Sequence, residues 1–247
     1  MSDVHDELRH WWNRDAETYD RSPSHGLSDP VEAAAWRAVM SDVLPPPPAR
    51  VLDAGAGTGS MSLLAAELGH EVTALDLSEG MLEQAKRKAA ERGLDLSFVQ
   101  GPAHEPPEGP FDAVIERHML WTAPDPITIL HAWREAIAPQ GRLVLFEGSW
   151  AAAGPVRVLR EKAADLVRRA YRIPHDHHDE YAPDLWEQLP FAQMTGPAPL
   201  IEALYRSGWR GVRIRRLRDV EWARIEAGPP VLSWFETTPM WVLVADA

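Results

Sequence analysis

The sequence contains no cysteine among its 247 residues. Disulfide bonds, thiolate metal ligands and cysteine nucleophiles are therefore excluded. The sequence also lacks an uninterrupted run of about 18 apolar residues, the length that a membrane-spanning helix requires. Its polar beginning, MSDVHDELRH, does not resemble a secretory signal peptide. We therefore expect a cytoplasmic protein that does not associate with membranes.

Basic side chains are scarce, with 25 Lys and Arg against 37 Asp and Glu, which gives a formal net charge of −12. A surface this negative repels phosphate backbones, so we do not expect nucleic acid as a partner. Phe and Tyr are also few, at 5 and 4, whereas there are 11 Trp. Tryptophan suits both cores and pocket walls, so we expect most of these residues to be structural and a few to line a substrate cavity.

Glycine is concentrated in one turn. Val51 and Leu52 predict the end of a buried strand, and the run Asp53–Gly59 (DAGAGTG) then places three glycines at alternate positions before a helical pattern. A strand that turns into a helix through such glycines lets the backbone approach a ligand closely. A second predicted strand ends at Asp76, where a βαβ unit places a hydrogen-bond acceptor for a ribose diol. Together these residues predict a nucleoside site.

The spacing of the glycines indicates which nucleoside is bound. From Gly55 the sequence reads GAGTGS, so the third glycine comes one residue earlier than in the dinucleotide fingerprint G-x-G-x-x-G. The turn also lacks the Gly-Lys-Ser/Thr ending of a phosphate-binding P-loop. It instead resembles motif I of the class I S-adenosylmethionine-dependent methyltransferases, in which two hydrophobic residues and an acid precede three alternate glycines.

The resemblance is close over residues 6–148 and general in the C-terminal third. It is greatest to the small-molecule group related to the ubiquinone-biosynthesis methyltransferases. The run Arg117–Trp121 (RHMLW), followed by PDP, resembles a subgroup of bacterial metabolite methyltransferases. The resemblance implies transfer of a methyl group from S-adenosylmethionine to a nitrogen or oxygen of a small, flat or heteroaromatic metabolite of secondary metabolism. Nitrogen is slightly preferred because only one plausible base is visible.

Two other function classes remain open at this point. A non-catalytic module could bind S-adenosylmethionine without turnover, or could have lost the site. An NAD(P)-dependent oxidoreductase could use a similar sheet, although the glycine spacing argues against it. No serine is placed to act as a nucleophile, which argues against a hydrolase.

Strand and helix patterns alternate after residue 48, which predicts an α/β fold with a doubly wound, mostly parallel, seven-stranded sheet. We expect one Rossmann-like methyltransferase domain, as a monomer or homodimer. Its parts are an N-terminal helical cap (1–48), a cofactor-binding core (49–149), a helical lid inserted after the fifth strand (150–190), and a C-terminal helix with closing strands (191–247). The first five strands are centred on residues 50–54, 72–76, 96–100, 111–116 and 142–147.

Capping residues and apolar periodicity predict where several helices begin and which faces they bury. Residues 6–19 predict a helix and residues 21–27 a loop. Ser28 is the expected N-cap of a helix with an apolar stripe, which comprises Val31, Ala35, Val39 and Val43. Asp125 is expected to cap a later helix that begins with Pro126.

The resemblance implies a cofactor site built from nine positions. Gly55 and Gly57 would lie against the methionine moiety, and Asp76 would accept hydrogen bonds from the ribose hydroxyls, unless it caps the next helix. Leu77 and Met81 would sandwich the adenine, although Met81 is equally consistent with helix core. The nine positions are Tyr19, Asp53, Gly55, Gly57, Asp76, Leu77, Met81, Ala103 and Glu116.

The predicted adenine edge departs from the family. Similar proteins often carry Gly-Asp-Ala after the third strand, and here the order is Gly101, Pro102, Ala103. Pro102 offers neither a side-chain acceptor nor an N–H, while Ala103 can still donate its backbone N–H. His104 or Glu105 could replace the missing acceptor for the adenine amino group.

The chemistry is expected at the end of the fourth strand. His118 is the candidate general base, because its ordinary pKa suits that role at neutral pH, although it could equally be a pocket-wall residue. The residues expected to line the acceptor cavity are His25, Trp121, Tyr181, Trp186, Met194 and Trp234. The polar run HDHHDE at residues 175–180 is interpreted as solvated surface, so no metal is expected.

Overall fold

The computed structural model describes residues 2–21, 23–148, 155–171, 181–192, 194 and 196–247. Its strands are β1 (Arg50–Ala54), β2 (Glu71–Asp76), β3 (Ser97–Gln100), β4 (Phe111–Arg117), β5 (Ile137–Gly148), β6 (Arg210–Arg216) and β7 (Met240–Asp246). Its α-helices are α1 (Ser2–Asp15), α2 (Pro23–Gly26), α3 (Pro30–Val43), α4 (Ser60–Glu67), α5 (Glu79–Arg92), α6 (Pro126–Ala136), α7 (Pro155–Tyr171), α8 (Pro183–Glu187), α9 (Ala198–Arg206), α10 (Arg218–Ala227) and α11 (Pro230–Glu236).

All seven strands form one sheet in the order β3-β2-β1-β4-β5-β7-β6. Strands β1 to β5 pair in parallel, and β7 runs antiparallel between β5 and β6. This topology confirms the predicted doubly wound, mostly parallel fold with seven strands. The strand order reverses between β1 and β4, and in such sheets ligands bind beyond the carboxyl ends of the strands at this point.

The central strands are apolar because both faces of the sheet are covered. In β1 every residue from Val51 to Ala54 is buried. Helices α6 and α9 pack on one face, where Trp133 and Trp209 are fully buried. Helices α3, α4 and α10 cover the other face around Trp36. Parallel strands buried on both sides read as continuous hydrophobic runs, which explains why periodicity located them well.

The start of α3 corrects the predicted cap by one residue. Asp29, not Ser28, is the N-cap, and its side chain accepts hydrogen bonds from the backbone N–H groups of Val31 and Glu32. The buried stripe of the helix is shifted accordingly, since Val31 is 47% exposed and Trp36 is fully buried. Val39 and Val43 face the core as expected.

The N-terminal region is more regular than the sequence indicates. The predicted helix over residues 6–19 begins at Ser2 and ends at Asp15, and a 3₁₀ turn follows at Tyr19–Arg21. The predicted loop at residues 21–27 contains the short helix α2, which begins at Pro23. Proline fits the first position of a helix because its missing N–H has no intrahelical partner there.

The predicted lid after β5 is not confirmed. Helix α7 contacts α11, and Arg160 of α7 donates hydrogen bonds to the carbonyl oxygens of Trp234 and Thr237, each at 3.0 Å. Among the described residues of α7, none lines the cavity that lies at the carboxyl edge of the sheet. Residues 149–154 and 172–180, which include the polar run at 175–180, lie outside the described residues.

None of the described helices is both long enough and apolar enough to cross a membrane.

The cap of α6 has the predicted form and gives a test of the fold. Asp125 accepts a hydrogen bond from the backbone N–H of Thr128 at 3.0 Å, and Pro126 occupies the first turn. We expect Asp125→Ala to lower the free energy of unfolding by about 1 kcal/mol, because the helix loses its N-cap acceptor. Urea denaturation measures this change. Asp125→Asn, which keeps a cap acceptor, should lose much less, and an equal loss in both variants would contradict the cap assignment.

Candidate active site

All three glycines of the turn between β1 and α4 adopt positive φ, and the first two differ in the space around them. Gly55 adopts φ +74°, and a Cβ there would lie 2.4 Å from the side chain of Met119. Gly57 adopts φ +54°, and a Cβ there would meet no atom within 4 Å. Both conformations are strained for residues with a side chain. The first glycine therefore serves packing, whereas the second leaves open space beside the backbone.

Asp76 joins this turn to the end of β2. Its two carboxylate oxygens accept hydrogen bonds from the backbone N–H of Gly57 at 2.7 Å and of Ser78 at 2.8 Å. The N-cap of α5 is Ser78, so the alternative interpretation of Asp76 as the cap is wrong. Burial raises the pKa of Asp76 to about 6. Each oxygen of an ionised carboxylate has a second lone pair, so Asp76 can still accept from a ligand.

A cavity extends along the carboxyl edge of the sheet beside this turn. The empty space within it, including its open mouth, is about 790 Å³. Its lining includes Leu77 and Met81, which follow β2, and Arg117 and His118 at the end of β4, and β2 and β4 lie on opposite sides of β1. The predicted cofactor positions that line it are Tyr19, Gly55, Gly57, Asp76, Leu77, Met81 and Ala103.

Helix α1 covers this cavity through three residues that were not among the predicted site residues. His5, Leu8 and Trp12 all line it. Their spacing of three and then four residues places them on one face of a helix. The signal was present in the sequence, but the adjacent Trp11 obscured which face of the helix is turned inward.

Asp53 and Glu116, the two remaining predicted cofactor positions, do not line this cavity. Asp53 lies on β1, accepts a hydrogen bond from the Ser62 hydroxyl, and borders a small pocket that adjoins the main cavity near Tyr19. Burial raises the pKa of Asp53 to about 6. Asp53 is therefore placed to shape the glycine turn.

Tyr19, Asp20 and His25, which we call the strap, lie against the glycine turn. The rings of Tyr19 and His25 stack with centroids 4.2 Å apart, and Asp20 accepts hydrogen bonds from the Thr58 hydroxyl at 2.7 Å and the Lys88 ammonium at 2.8 Å. Burial raises the pKa of Tyr19 to about 12, so its hydroxyl is protonated at neutral pH. His25 belongs to this strap and is not a wall of the main cavity.

Arg117 is another lining residue that was not among the predicted site residues. It lines both the main cavity and the small pocket beside Asp53. Its guanidinium donates a hydrogen bond to the carbonyl oxygen of His25 at 3.0 Å and lies 5.5 Å from the ring centroid of Trp36. A buried cation at this end of the cavity suits an anionic group of a ligand. The only signal in the sequence is its position directly before His118.

His118 follows β4 in a left-handed backbone conformation, with φ +59°. Such conformations in non-glycine residues are uncommon and cluster at functional sites. Its backbone N–H bonds to the carbonyl oxygen of Phe146 at 3.1 Å, and its ring Nδ1 lies 3.4 Å from Oε2 of Glu147. Burial, assisted by the charges of Arg117 and Arg224, lowers the pKa of His118 well below its ordinary value. The ring is therefore neutral at pH 7.

Glu116 fixes the turn that carries His118. Its Oε2 accepts hydrogen bonds from the backbone N–H groups of Met119 at 2.8 Å and Leu120 at 3.3 Å. The side chain is fully buried. Burial raises the pKa of Glu116 to about 8. At neutral pH Glu116 is therefore mainly the uncharged acid.

The predicted acceptor residues are only partly brought together. Trp121, Tyr181 and Trp186 pack on one another, with ring centroids 5.7 to 6.5 Å apart, and Tyr181 also contacts the tryptophans of α1. This aromatic cluster packs against α1, the helix that covers the cavity, but none of its three rings lines the cavity itself. Met194 is buried in the core beside α9. Trp234 lies on α11, is 61% exposed, and is not brought to the cavity.

Comparisons with known proteins agree with this architecture. Residues 51–141 match the family described as "Methyltransferase domain". The chain is 33% identical over 192 residues to the demethylmenaquinone methyltransferase of Beutenbergia cavernae, which covers 74% of this chain and 75% of that protein. It is 36% identical over 139 residues to the ubiquinone biosynthesis O-methyltransferase of Xanthomonas axonopodis pv. citri, covering 55% of this chain and 54% of that protein. The chain thus spans about half the length of the latter relative.

Solved structures show the same fold at low identity. A Thermotoga maritima protein described as an S-adenosylmethionine-dependent methyltransferase, possibly a histamine N-methyltransferase, has a TM-score of 0.61 at 16% identity and covers 97% of this chain and 99% of that one. A geranyl diphosphate methyltransferase in complex with geranyl diphosphate and sinefungin has a TM-score of 0.60 at 15% identity, covering 98% of this chain and 99% of that one.

The raised pKa of Glu116 predicts a dependence of stability on pH. In the unfolded chain this carboxyl titrates at about 4.3, whereas in the folded protein its pKa is about 8. Between these values the folded state holds the extra proton, so this group's contribution to stability is present at low pH and is lost as the pH rises through about 8. We expect wild type to lose more stability than Glu116→Gln as the pH is raised from about 5 to about 8.

Urea denaturation midpoints across this pH range measure the difference in stability between wild type and Glu116→Gln. Titrating groups that both proteins share contribute equally and cancel in this difference. Glu105→Gln, which changes an exposed carboxyl, is the control and should follow wild type. Parallel curves for wild type and Glu116→Gln would contradict the raised pKa.

Proposed function

The chain belongs to the class I S-adenosylmethionine-dependent methyltransferases, and from this membership we propose that it transfers the methyl group of S-adenosylmethionine to a hydroxyl oxygen of a small, flat acceptor. One observation carries the proposal. A single cavity joins the glycine turn and the Asp76 carboxylate to the neutral ring of His118. The cavity is lined mainly by apolar groups, which suits a small organic acceptor better than a polymer.

The residues present fit this cofactor. The open space at Gly57 admits a ligand against the backbone, and the free lone pairs of Asp76 suit the two ribose hydroxyls. Leu77 and Met81 supply apolar walls for the adenine. We assign the methionine carboxylate to Arg117, the buried cation at the other end. When bound, S-adenosylmethionine supplies an electrophilic methyl group on a sulfonium sulfur.

His104 is our candidate for reading the adenine amino group in place of the missing aspartate. It lines the cavity, whereas the Glu105 side chain is 73% exposed. The nearby backbone acceptors are already used, because Trp133 donates to the carbonyl oxygen of Ala103 at 2.9 Å and the N–H of Glu105 donates to that of Pro102 at 3.0 Å. An imidazole nitrogen of His104 is then a side-chain acceptor that this loop can offer.

The choice of oxygen follows from the state of His118. A hydroxyl is protonated at neutral pH, so its methylation needs a base, whereas a neutral amine attacks through its own lone pair. His118 is neutral and lies beside Glu147, which suits it to take that proton. The sequence alone slightly preferred nitrogen, because only one plausible base is visible in it. The name of the Xanthomonas relative, an O-methyltransferase, is consistent with the revised choice.

The proposed step is a direct displacement. The hydroxyl oxygen forms the new C–O bond, the C–S bond breaks with its electron pair retained by sulfur, and the hydroxyl proton moves to His118. The chain's main contribution is alignment and exclusion of water by the cover of α1.

The assignment of Asp76 is testable by binding alone. We expect Asp76→Ala to weaken the affinity for S-adenosylhomocysteine by about 1–3 kcal/mol, because the ribose hydroxyls lose their acceptor. Isothermal titration calorimetry measures this change. Asp95→Ala, which removes an exposed carboxylate before β3, is the matched control. Unchanged affinity in Asp76→Ala would contradict the ribose contact, and binding of NADH in place of S-adenosylhomocysteine would contradict the proposed cofactor.

The base role of His118 requires a turnover assay. We expect His118→Ala to lower kcat for a hydroxylated aromatic acceptor by about 10²-fold, the usual contribution of a general base, with little change in cofactor affinity. Mass spectrometry of a panel of phenols and aromatic amines identifies the acceptor and the methylated atom. His131→Ala, on the exposed face of α6, is the control. A loss confined to KM would make His118 a binding residue.

Methylation of amines alone would restore the nitrogen preference. Cofactor binding without turnover on any acceptor in the panel would favour the non-catalytic module.

A further inference from the structure

We propose that a second cavity, which adjoins the main cavity beside the loop after β3, is a subsite for a substituent on N6, the exocyclic amino group of the adenine. The protein should then bind S-adenosylhomocysteine that carries a methyl or benzyl group on N6 nearly as well as the parent compound. The inference rests on the proposed cofactor and on the assignment of its ribose to Asp76. It extends the site to residues that the proposed reaction does not use.

The second cavity lies between α1, the loop after β3 and the start of α6. The empty space within it, including its open mouth, is about 940 Å³. Residues from all three segments line both cavities, so the two cavities adjoin there, at what we call the junction. The residues of the junction are His5, Pro102, His104, Pro124 and Ile129.

The order of the strands indicates how an adenosine would point. In the sheet β2 lies between β1, which precedes the glycine turn, and β3. With the ribose at Asp76 on β2, the base lies beside Leu77 and Met81 and reaches toward the loop after β3. In adenosine the ribose is joined to N9, and N6 stands at the opposite end of the base. N6 is therefore turned toward Pro102 and His104, which belong to the junction.

Pro102 makes this edge of the site permissive. A side chain with an acceptor at this position would hold the amino group in one orientation. Proline offers neither such an acceptor nor an N–H, and its half-buried ring is instead an apolar wall of both cavities. His104, the proposed acceptor, needs only one N–H of the amino group, and an amino group with one substituent keeps one.

The walls of the second cavity suit an uncharged, apolar substituent. The charged side chains at its mouth are already paired with protein groups. Arg9 donates to Asp6 at 2.8 Å, and Asp125 accepts from the backbone N–H of Thr128 at 3.0 Å. An apolar group can therefore leave water here without displacing these bonds. The residues of the junction whose side chains carry no polar atom are Pro102, Pro124 and Ile129.

Two histidine rings stand at the junction. The centroids of His5 and His104 lie 5.0 Å apart, and the ring planes are tilted by 48°. Both residues are half-buried. Side chains with access to solvent change rotamer rapidly, so the two rings can part around a substituent. Their faces can also stack on an aromatic group, which makes benzyl the more informative of the two substituents.

Isothermal titration calorimetry of the full chain tests the inference without any methyl acceptor. The ligands are S-adenosylhomocysteine and its N6-methyl and N6-benzyl derivatives. We expect wild type to bind both derivatives within about tenfold of the parent compound, because the substituent enters existing space and does not overpack the site. A larger loss for either derivative would overturn the inference.

Thr128→Trp tests where the substituent lies, because Thr128 lines the second cavity and not the main one. A tryptophan there should fill the space and weaken binding of the N6-benzyl derivative by about thirtyfold. The parent compound and the N6-methyl derivative do not reach this residue and should bind as they do to wild type. The backbone N–H of residue 128 still donates to Asp125, so the start of α6 is kept.

Thr128→Val, which keeps the size of threonine, is the matched control and should bind all three ligands like wild type. Circular dichroism verifies that each variant is folded. If Thr128→Trp does not fold, Asp6→Trp replaces it, because Asp6 is exposed on α1 and lines only the second cavity. Asp6→Asn is then the control.

The outcomes separate this inference from the proposed function. Equal binding of the N6-benzyl derivative to wild type and to the tryptophan variant would place the substituent elsewhere and overturn the inference. Binding of the parent compound together with loss of the derivatives would refute only the subsite. Failure of folded wild type to bind the parent compound would refute the proposed cofactor and the subsite with it.

Discussion

Burial of carboxyl groups at the carboxyl edge of the sheet is the constraint on which the rest of the site depends. Four acids lie at or next to the ends of parallel strands, namely Asp53, Asp76, Glu116 and Glu147. A buried carboxylate without donors is strongly destabilising, so each acid must either bind donors or keep its proton. The donors come from the loops that follow the strands, which are the glycine turn, the start of α5 and the turn after β4. The acids therefore order the loops that form the cavity.

The sheet fixes these loops, which form the floor of the cavity. The opposite side of the cavity, where the methyl acceptor would bind, is formed by the segments that cover it. The cover is made by α1 and by the region of α8. These two segments are far apart in the chain and meet in an aromatic cluster. Rings from both regions pack at centroid distances of 4.8 Å for Trp11 with Tyr181 and 6.4 Å for Trp12 with Tyr181. The unusual number of tryptophans is thus explained by two uses. Trp36 and Trp133 are buried on opposite faces of the sheet, and Trp11 and Trp12 belong to the cover.

The sequence predicted the features that depend on local patterns. Strand β1 has the expected bounds because a buried parallel strand reads as a short apolar run between turn signals. The cap at Asp125 was found because its acceptor and its donors are adjacent in the chain. The N-cap of α3 was predicted at Ser28, but the structure places it at Asp29. Both residue types can cap a helix, so the sequence does not decide between two adjacent positions. The cover by α1 depends on contacts between distant segments, which periodicity does not report.

The chemical states of the site residues were beyond the sequence for the same reason. His118 and Glu147 are 29 residues apart, and only the pairing of β4 with β5 makes them neighbours. Burial lowers the pKa of His118, a direction that residue type alone does not give. This matters for rate, since an interaction accelerates a reaction only when it is stronger in the transition state than in the ground state. In the proposed step His118 is neutral before the transfer and becomes charged only as the hydroxyl proton reaches the ring, so an interaction with that charge would meet this condition.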